Sequence, residues 1–250
     1  MDNPAAHNTA MDGRAMTDCT MTDRTMDVFE AVDSRISCRW FLDTPVDAAL
    51  VRDLIARAAR AASGGNLQPW QVYALTGAAL ADLKWQVAMS IAGRDPRQEA
   101  AEYPIYPETM WEPYKSRREY HGVQLYGALE IDRADAAARL TQYKRNYEFF
   151  NAPVALFIAI DRRLGPGQWA DLGGYIHALM YLARGRGLDT CAQESWARMH
   201  RIVGPFVKMP PEQMLFCAVC IGYGDRSHPA NSFRSPRAAP EEFCRFFGFD

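Results

Sequence analysis

Apolar residues recur every three or four positions in the first third of the chain, which is the spacing of one helix face. The segment 47–62 shows this spacing with charged residues on its other side, and Asp47 is suited to cap the helix that it predicts. A second helix is predicted over 78–92. Aromatic and β-branched residues in 70–75 predict a strand between the two helices.

Longer apolar runs predict the centre of the fold. The segments 153–160 and 214–221 are continuous apolar stretches, which is typical of buried central strands. Helical spacing returns at 133–146. The helix predicted at 170–183 is apolar nearly all round, so we expect it to be buried and suited to a subunit interface. This order of helices and strands favours an α+β architecture.

Two stretches lack a regular pattern. The segment 93–129 is rich in Pro, Tyr, Trp and paired charges, which is typical of a functional excursion or lid, and we expect short helical turns in it. Residues 1–27 are polar, without an apolar stretch for a signal peptide or a membrane span. We expect a disordered N-terminal arm, a single domain over 28–250, and a cytoplasmic protein.

The net charge of the chain limits the kinds of partner that it can attract. The 250 residues include 28 Lys and Arg against 30 Asp and Glu, for a net charge of −2. There is no overall basic field to attract nucleic acid or an anionic membrane, so we expect neither as a partner. A phosphate site would have to be local.

The six cysteines are scattered, which favours free thiols in a reducing compartment. Cys217 and Cys220 form a C-x-x-C pair, but they lie in a predicted strand, where residues three apart face opposite sides. No second Cys or His pair completes a zinc set, so the pair is interpreted as core packing and no metal site is expected.

The segment 62–71, A-S-G-G-N-L-Q-P-W-Q, combines backbone freedom with amide hydrogen bonding. Gly64 and Gly65 allow a positive φ and a close approach to a ligand, while Asn66 and Gln68 offer donors and acceptors. The pattern suits a planar ligand rich in heteroatoms. The alternative is an ordinary turn, since Ser, Gly and Asn are common turn residues.

Upstream, Arg35, Ser37 and Arg39 alternate with apolar residues. In an extended segment their side chains point to one side, where two guanidinium groups and a hydroxyl could hold a phosphate. The alternative for these arginines, and for Arg234 and Arg237 near the C-terminus, is a solvated surface charge.

These segments occur in a familiar order. They read S-R-x-S-x-R-x-F at 34–41, S-G-G-N-x-Q-P-W at 63–70, T-C-x-Q-E-S-W at 190–196, and G-Y-G-D at 222–225 with N-x-x-R-S-x-R at 231–237. The set resembles the FMN-dependent nitroreductase family, and Y-P at 103–104 with W-E-P-Y at 111–114 is similar to its nitrobenzoate-reductase branch. The resemblance implies a three-layer α/β/α sandwich with a central, mostly antiparallel sheet, and a homodimer with FMN at its interface.

The resemblance also implies roles for residues. Arg35 and Ser37 match positions at the phosphate end of FMN, and Arg234 and Arg237 match the basic pair that completes the clamp. Arg39 matches a position, often Lys, near the pyrimidine side of the ring.

Other matches concern the flavin ring. The family loop that runs along the flavin, often from the partner subunit, is matched by Ser63, Gly64, Gly65 and Asn66. The ring-side matches are Asn146, Ala192, Gln193 and Glu194. The family often has Pro at the Ala192 position, and the group expected to act near Glu194 is a backbone N–H. The alternative for the Glu194 side chain is a helix cap or surface carboxylate.

The implied activity is reduction of nitroaromatic compounds to hydroxylamines, with NADH or NADPH as the electron donor and ping-pong kinetics. Aromatic residues of 93–129 would line the substrate pocket: Tyr103, Tyr106, Trp111, Tyr114 and Tyr126. Arg117 or Arg118 could meet a carboxylate or nitro group, or be solvent-exposed. The alternatives are another FMN reaction, such as flavin fragmentation, reductive dehalogenation or heterocycle oxidation, and a flavin-binding protein without turnover.

Overall fold

The computed structural model describes residues 25–249. The helices and strands, in chain order, are α1 (Val28–Ser34), α2 (Ala48–Ala58), β1 (Gln71–Thr76), α3 (Gly77–Ser90), α4 (Tyr114–Ala128), α5 (Ala136–Lys144), β2 (Val154–Asp161), α6 (Pro166–Gly185), β3 (Asp189–Gln193), α7 (His200–Phe206), β4 (Gln213–Gly222) and α8 (Pro240–Phe243).

The expected N-terminal arm, 1–27, falls almost entirely outside the described residues. Its last part is held in place: the Met26 N–H donates to the Gly185 carbonyl at 2.9 Å. Asp27 then caps α1 and forms a capping box with Glu30.

A four-stranded sheet in the order β1-β2-β4-β3 forms the centre, and every neighbouring pair is antiparallel. The predicted antiparallel sheet is therefore confirmed. The register of β2 against β4 shifts between Ile158 and Ala159, which leaves Phe216 of β4 without a partner. The Phe216 carbonyl accepts a hydrogen bond from the Tyr103 hydroxyl at 2.7 Å, so the bulge anchors the segment that follows α3.

Each face of the sheet carries its own core. On one face, Leu83 of α3 packs with Phe157 and Trp196. On the other, Leu54 of α2 and Leu179 of α6 pack with strand residues of β2 and β4. These two helical layers around one sheet confirm the three-layer sandwich.

Cys217 and Cys220 fall in these two different cores, as predicted from their spacing. The five cysteines among the described residues are free. Within residues 25–249 no group of His, Cys, Asp and Glu is arranged to hold a metal ion.

The helix predicted at 170–183 is longer than expected and less completely buried. It spans Pro166–Gly185, and in the single chain His177 and Gly174 are exposed while Leu179 and Tyr175 are buried. None of the helices in the described part of the chain is both long and apolar enough to cross a membrane.

The segment 93–129 holds one short helical turn, at Pro96–Gln98, but it also contains the 15-residue helix α4, which was not expected. No residue of α4 is buried in the single chain. The helix is held by polar and aromatic contacts instead: Arg117 pairs with Glu242 at 3.0 Å, and the Arg118 guanidinium lies 4.2 Å from the Tyr106 ring centre. A helix without an apolar face has no 3.6-residue pattern to reveal it.

Candidate anion site and ring-side residues

A cavity of about 260 Å³ lies between the segment that follows α1 and the C-terminal segment. Its lining includes Arg35, Ser37, Arg39, His121, Arg234, Ser235 and Arg237. The acidic residue in the lining is Asp33, so four guanidinium groups face one carboxylate. Guanidinium and hydroxyl donors at this density suit a phosphate group.

Backbone pairing with β3 keeps the segment that carries Arg35, Ser37 and Arg39 extended. The Cys38 N–H donates to the Thr190 carbonyl at 2.9 Å, and Ser37 forms a parallel bridge with Thr190, so this segment runs extended beside β3. Arg35, Ser37 and Arg39 therefore reach the cavity, while Cys38 is buried in the core. Ile36, between Arg35 and Ser37, also lines the cavity, so the three predicted residues reach one cavity without a strict one-sided alternation.

Asn231 joins the two halves of the cavity. Its buried side chain accepts from the Arg39 N–H at 2.7 Å and donates to the carbonyls of Trp40 and Asp225 at 2.9 and 2.8 Å. The first Asn of the N-x-x-R-S-x-R motif thus has a structural part, because it fixes Arg39 relative to the chain that carries Arg234 and Arg237.

An ion cluster around the buried Asp189 lies next to the same region. Asp189 at the start of β3 is 4% exposed and lies 3.4 Å from Arg184 of α6 and 2.5 Å from Arg226. Arg184 also donates to the Ser34 hydroxyl at 2.8 Å, immediately before Arg35. Burial raises the pKa of Asp189, and the two guanidinium groups oppose that shift.

The ring-side candidates lie around the end of β3. Strand alternation leaves Ala192 and Glu194 exposed and Gln193 buried. The Gln193 amide donates to the Asn146 carbonyl at 2.8 Å, whereas its Oε1 and the hydroxyl oxygen of Ser195 are buried without a partner. Two unpaired buried polar atoms in one short segment indicate a ligand that would pair with them.

A left-handed turn follows Asn146. Phe149, Phe150 and Asn151 have φ values of 53°, 53° and 71°, and for the two phenylalanines this conformation costs about 1–2 kcal/mol each. Packing offsets this strain: the Phe149 ring stacks on Trp196 at 4.4 Å. The Trp196 indole N–H donates to the Asn146 carbonyl at 3.1 Å.

Two tyrosines of the excursion lie near Glu194. Burial and then the Glu194 charge raise the pKa values of Tyr103 and Tyr106, while Arg118 lowers that of Tyr106. Surrounding protein atoms raise the pKa of the Glu194 carboxyl by desolvation, although the residue is exposed to solvent. Glu194, the two phenols and the Arg118 guanidinium are thus within electrostatic reach of one another near the end of β3.

The loop Ser63–Asn66 contributes nothing to the lining of the cavity, and neither do the ring-side candidates Asn146, Ala192, Gln193 and Glu194. The loop is ordered by the Gln68 N–H donating to the Ser63 hydroxyl at 3.0 Å and by the Gly64 N–H donating to Asp171 at 3.1 Å. Gly65 and Asn66 both have φ of 57°. The loop therefore presents exposed backbone and an amide outward from the single chain.

Several lining residues were not predicted from the sequence, and the polar one that contacts predicted site residues is His121. His121 of α4 lies 3.2 Å from the Arg39 guanidinium and 2.9 Å from the Ser235 hydroxyl. No local signal could have found it, because α4 itself has no helical pattern and no other histidine stands at a ligand spacing from it.

Comparisons with known proteins identify the family of this chain. The profile of the nitroreductase family matches residues 32–223. A 4-nitrobenzoate reductase of Pseudomonas putida is 36% identical over 90% of this chain and 97% of its own length, and a nitrobenzene nitroreductase of Ectopseudomonas oleovorans is 34% identical over 87% and 95%. The crystal structure of an FMN- and NADPH-dependent nitroreductase, NfnB of Sphigopyxis sp. strain HMH, superposes with a TM-score of 0.86 at 39% identity and covers 90% of this chain and 100% of its own. The chain belongs to the nitroreductase family.

Proposed function

We propose that this protein is an FMN-dependent NAD(P)H oxidoreductase that reduces nitroaromatic compounds. The observation that carries the proposal is the convergence of Arg35, Arg39, Arg234 and Arg237 on one cavity beside β3. Family membership and relatives named for nitrobenzoate and nitrobenzene reduction support the choice of substrate.

The residues present fit FMN. The four arginines with Ser37 supply donors for its phosphate, and the unpaired Gln193 Oε1 and Ser195 hydroxyl are available to a ring with N–H and carbonyl groups. When bound, FMN accepts two electrons as hydride from a nicotinamide and passes two electrons to the nitro compound.

Arg39, expected near the pyrimidine side of the ring, lines the same cavity as Arg35 and Arg237, so its permanent positive charge would act at the phosphate end of FMN. Other residues of the chain would hold the ring. A backbone N–H at or beside Glu194 would donate to the ring, with Ala192 and Asn146 as further contacts. Ala192 replaces a Pro that is common in the family, and this change removes no donor because Pro has no N–H.

A second subunit would complete the site. The exposed loop with Ser63, Gly64, Gly65 and Asn66 lies apart from the arginine cavity of its own chain. In a homodimer the loop of one chain could lie over the ring bound by its partner. This arrangement uses the exposed side of α6, with Gly174 and His177, as contact surface.

The proposed reaction proceeds in two-electron steps. A nitro group takes two electrons and two protons to give a nitroso group and water, and a second pair of each gives the hydroxylamine. NAD(P)⁺ leaves before the nitro compound enters, so ping-pong kinetics are expected. The net charge of −2 is compatible with a cytoplasmic enzyme that binds neither nucleic acid nor membrane.

An anaerobic spectroscopic experiment tests the proposal. The purified protein, loaded with FMN, is mixed with NADH or NADPH and then with 4-nitrobenzoate. We expect the absorbance of the oxidised flavin to bleach and then return as the nitro compound is consumed. Bound flavin that is not bleached would contradict the reductase function, and failure to bind added FMN would contradict the site.

A further inference from the structure

His121 is the one cavity residue contributed by the excursion. It lies on α4, and its ring is half-buried between a residue of the N-terminal segment and a residue of the C-terminal segment. Its Nε2 is 3.2 Å from Nη2 of Arg39, and its Nδ1 is 2.9 Å from the Ser235 hydroxyl.

The chemistry of Arg39, His121 and Ser235 decides which group donates each hydrogen bond. A guanidinium can only donate, so Nε2 of His121 accepts from Arg39. A neutral imidazole that accepts at Nε2 carries its proton on Nδ1 and donates to the oxygen of Ser235. The Ser235 hydroxyl proton must then point away from the imidazole, which leaves it available to an acceptor in the cavity.

The charges around the ring favour this neutral form. Burial and the positive charges of Arg39 and Arg237 lower the pKa of His121. Arg39 comes from the segment after α1 and Arg237 from the C-terminal segment, while Asp33 of α1 is the acidic residue of the lining. His121 therefore contributes hydrogen-bond direction in place of a further positive charge.

We propose that His121 is a positioning residue for the phosphate group of FMN, because it holds the Arg39 guanidinium and turns the Ser235 hydroxyl toward the cavity. The proposal rests on the proposed function, since it assumes that FMN binds here. His121 would also link the excursion 93–129 directly to the part of the site that holds the phosphate.

The test compares FMN with riboflavin, which lacks the phosphate. Dissociation constants are measured on the apoprotein by quenching of flavin fluorescence, for the wild type, His121→Ala and His121→Gln. We expect His121→Ala to weaken FMN binding roughly tenfold, which is the effect of losing one charge-assisted hydrogen bond. Riboflavin binding should change little. His121→Gln, whose amide both accepts and donates, should recover most of the FMN affinity.

Ser235→Ala and the double variant provide a second measurement. If the two residues act as one relay, removing both weakens FMN binding no more than removing His121 alone. Val123→Ala, an exposed change on the same helix, is the matched control and should leave both affinities unchanged. Circular dichroism shows whether each variant is folded.

The outcomes of these measurements distinguish the proposed phosphate site from the proposed role of His121. A wild type that binds riboflavin as well as FMN, or neither, contradicts the proposed phosphate site itself. A wild type that prefers FMN, with a preference that His121→Ala leaves intact, contradicts the role of His121. Equal loss of FMN and riboflavin in His121→Ala, without rescue by Gln, also contradicts it, because that result indicates a general structural effect.

Discussion

Neighbouring arginines of α4 differ in the partners that the fold gives them. Arg117 is paired with Glu242, whereas Arg118 lies over the Tyr106 ring and has no carboxylate within ion-pair distance among residues 25–249. Tyr106 in turn lies within the electrostatic reach of Glu194. Of the two, Arg118 is thus the one whose hydrogen-bond donors are not paired with a carboxylate, and the ring on which it lies is within reach of the Glu194 charge.

We therefore predict that Arg118 recognises the carboxylate of an anionic nitroaromatic substrate. Arg118→Ala should raise KM for 4-nitrobenzoate about tenfold, as expected for a lost charge-assisted contact. KM for nitrobenzene, which is uncharged, should stay within about twofold. Steady-state kinetics with both substrates test this. Arg117→Ala is the matched control, and an equal effect of the two changes would rule out the assignment.

Glu194 raises a different question, because desolvation raises its pKa toward the range where a carboxyl can act as an acid or base. The proposed role at this position belongs to the backbone, so the side chain should be dispensable. Glu194→Gln should keep kcat within about threefold, a difference of under 1 kcal/mol in barrier. If Glu194 were the proton donor, kcat in the wild type would fall as pH rises through its pKa. That limb would be absent in the Gln variant, and pH profiles of both proteins distinguish the two cases.

At the scale of elements, close backbone packing explains the G-Y-G-D motif. A Cβ on Gly222, at the end of β4, would lie 2.7 Å from Cδ of Pro153 and 3.0 Å from a ring carbon of Phe41. A Cβ on Gly224 would lie 2.5 Å from the Asp189 carboxylate. These glycines let the segment after α1 and the start of β2 pack against the end of β4.

Gly222→Ala should therefore lower the free energy of unfolding by about 1–3 kcal/mol through overpacking. Gly127→Ala is the control, because a Cβ there, inside α4, meets nothing within 4 Å. That change should stabilise the protein by about 0.5–1 kcal/mol through higher helix propensity. Urea unfolding of both variants tests the pair, and equal effects would contradict the packing argument.

The ion cluster at Asp189 joins β3 to α6 and to the segment after β4. Asp189→Ala should lower the free energy of unfolding by about 3 kcal/mol, because it leaves the mostly buried Arg184 unpaired. Asp53→Ala, which breaks an exposed pair with Arg57 on α2, should cost less than about 1 kcal/mol. Urea unfolding of the two variants compares their losses in the free energy of unfolding. A small effect at Asp189 would mean that water reaches Arg184 in solution.

At the scale of the whole molecule, the arginine cavity and the loop Ser63–Asn66 lie apart in one chain, and a homodimer would bring them together. Mixed dimers test this. Arg237→Ala damages the cavity, and Gly65→Val damages the loop because Gly65 has a φ of 57°. Each variant alone should have little activity.

Subunits of the two variants, mixed under conditions that allow exchange, should recover about a quarter of wild-type activity, since half of the dimers are mixed and each has one intact site of two. A site built within one chain would recover nothing, because every site would keep one defect. Mixing each variant with wild type controls for exchange, and light scattering on a sizing column measures the dimer directly.

Local sequence determined the elements that have their own apolar pattern. Both central strands and the helix capped by Asp47 followed from spacing, because side-chain direction in a strand or helix depends on nearby residues. The motifs were sufficient to indicate the family and its three-layer fold.

Tertiary structure alone decided which distant groups meet. Asn231 bonds to Arg39 across 192 residues, and His121 reaches the cavity from a helix with no buried face. The different partners of Arg117 and Arg118 have the same origin. Such contacts depend on how whole elements pack, and neighbouring residues in the sequence carry no periodic signal of a partner so far away.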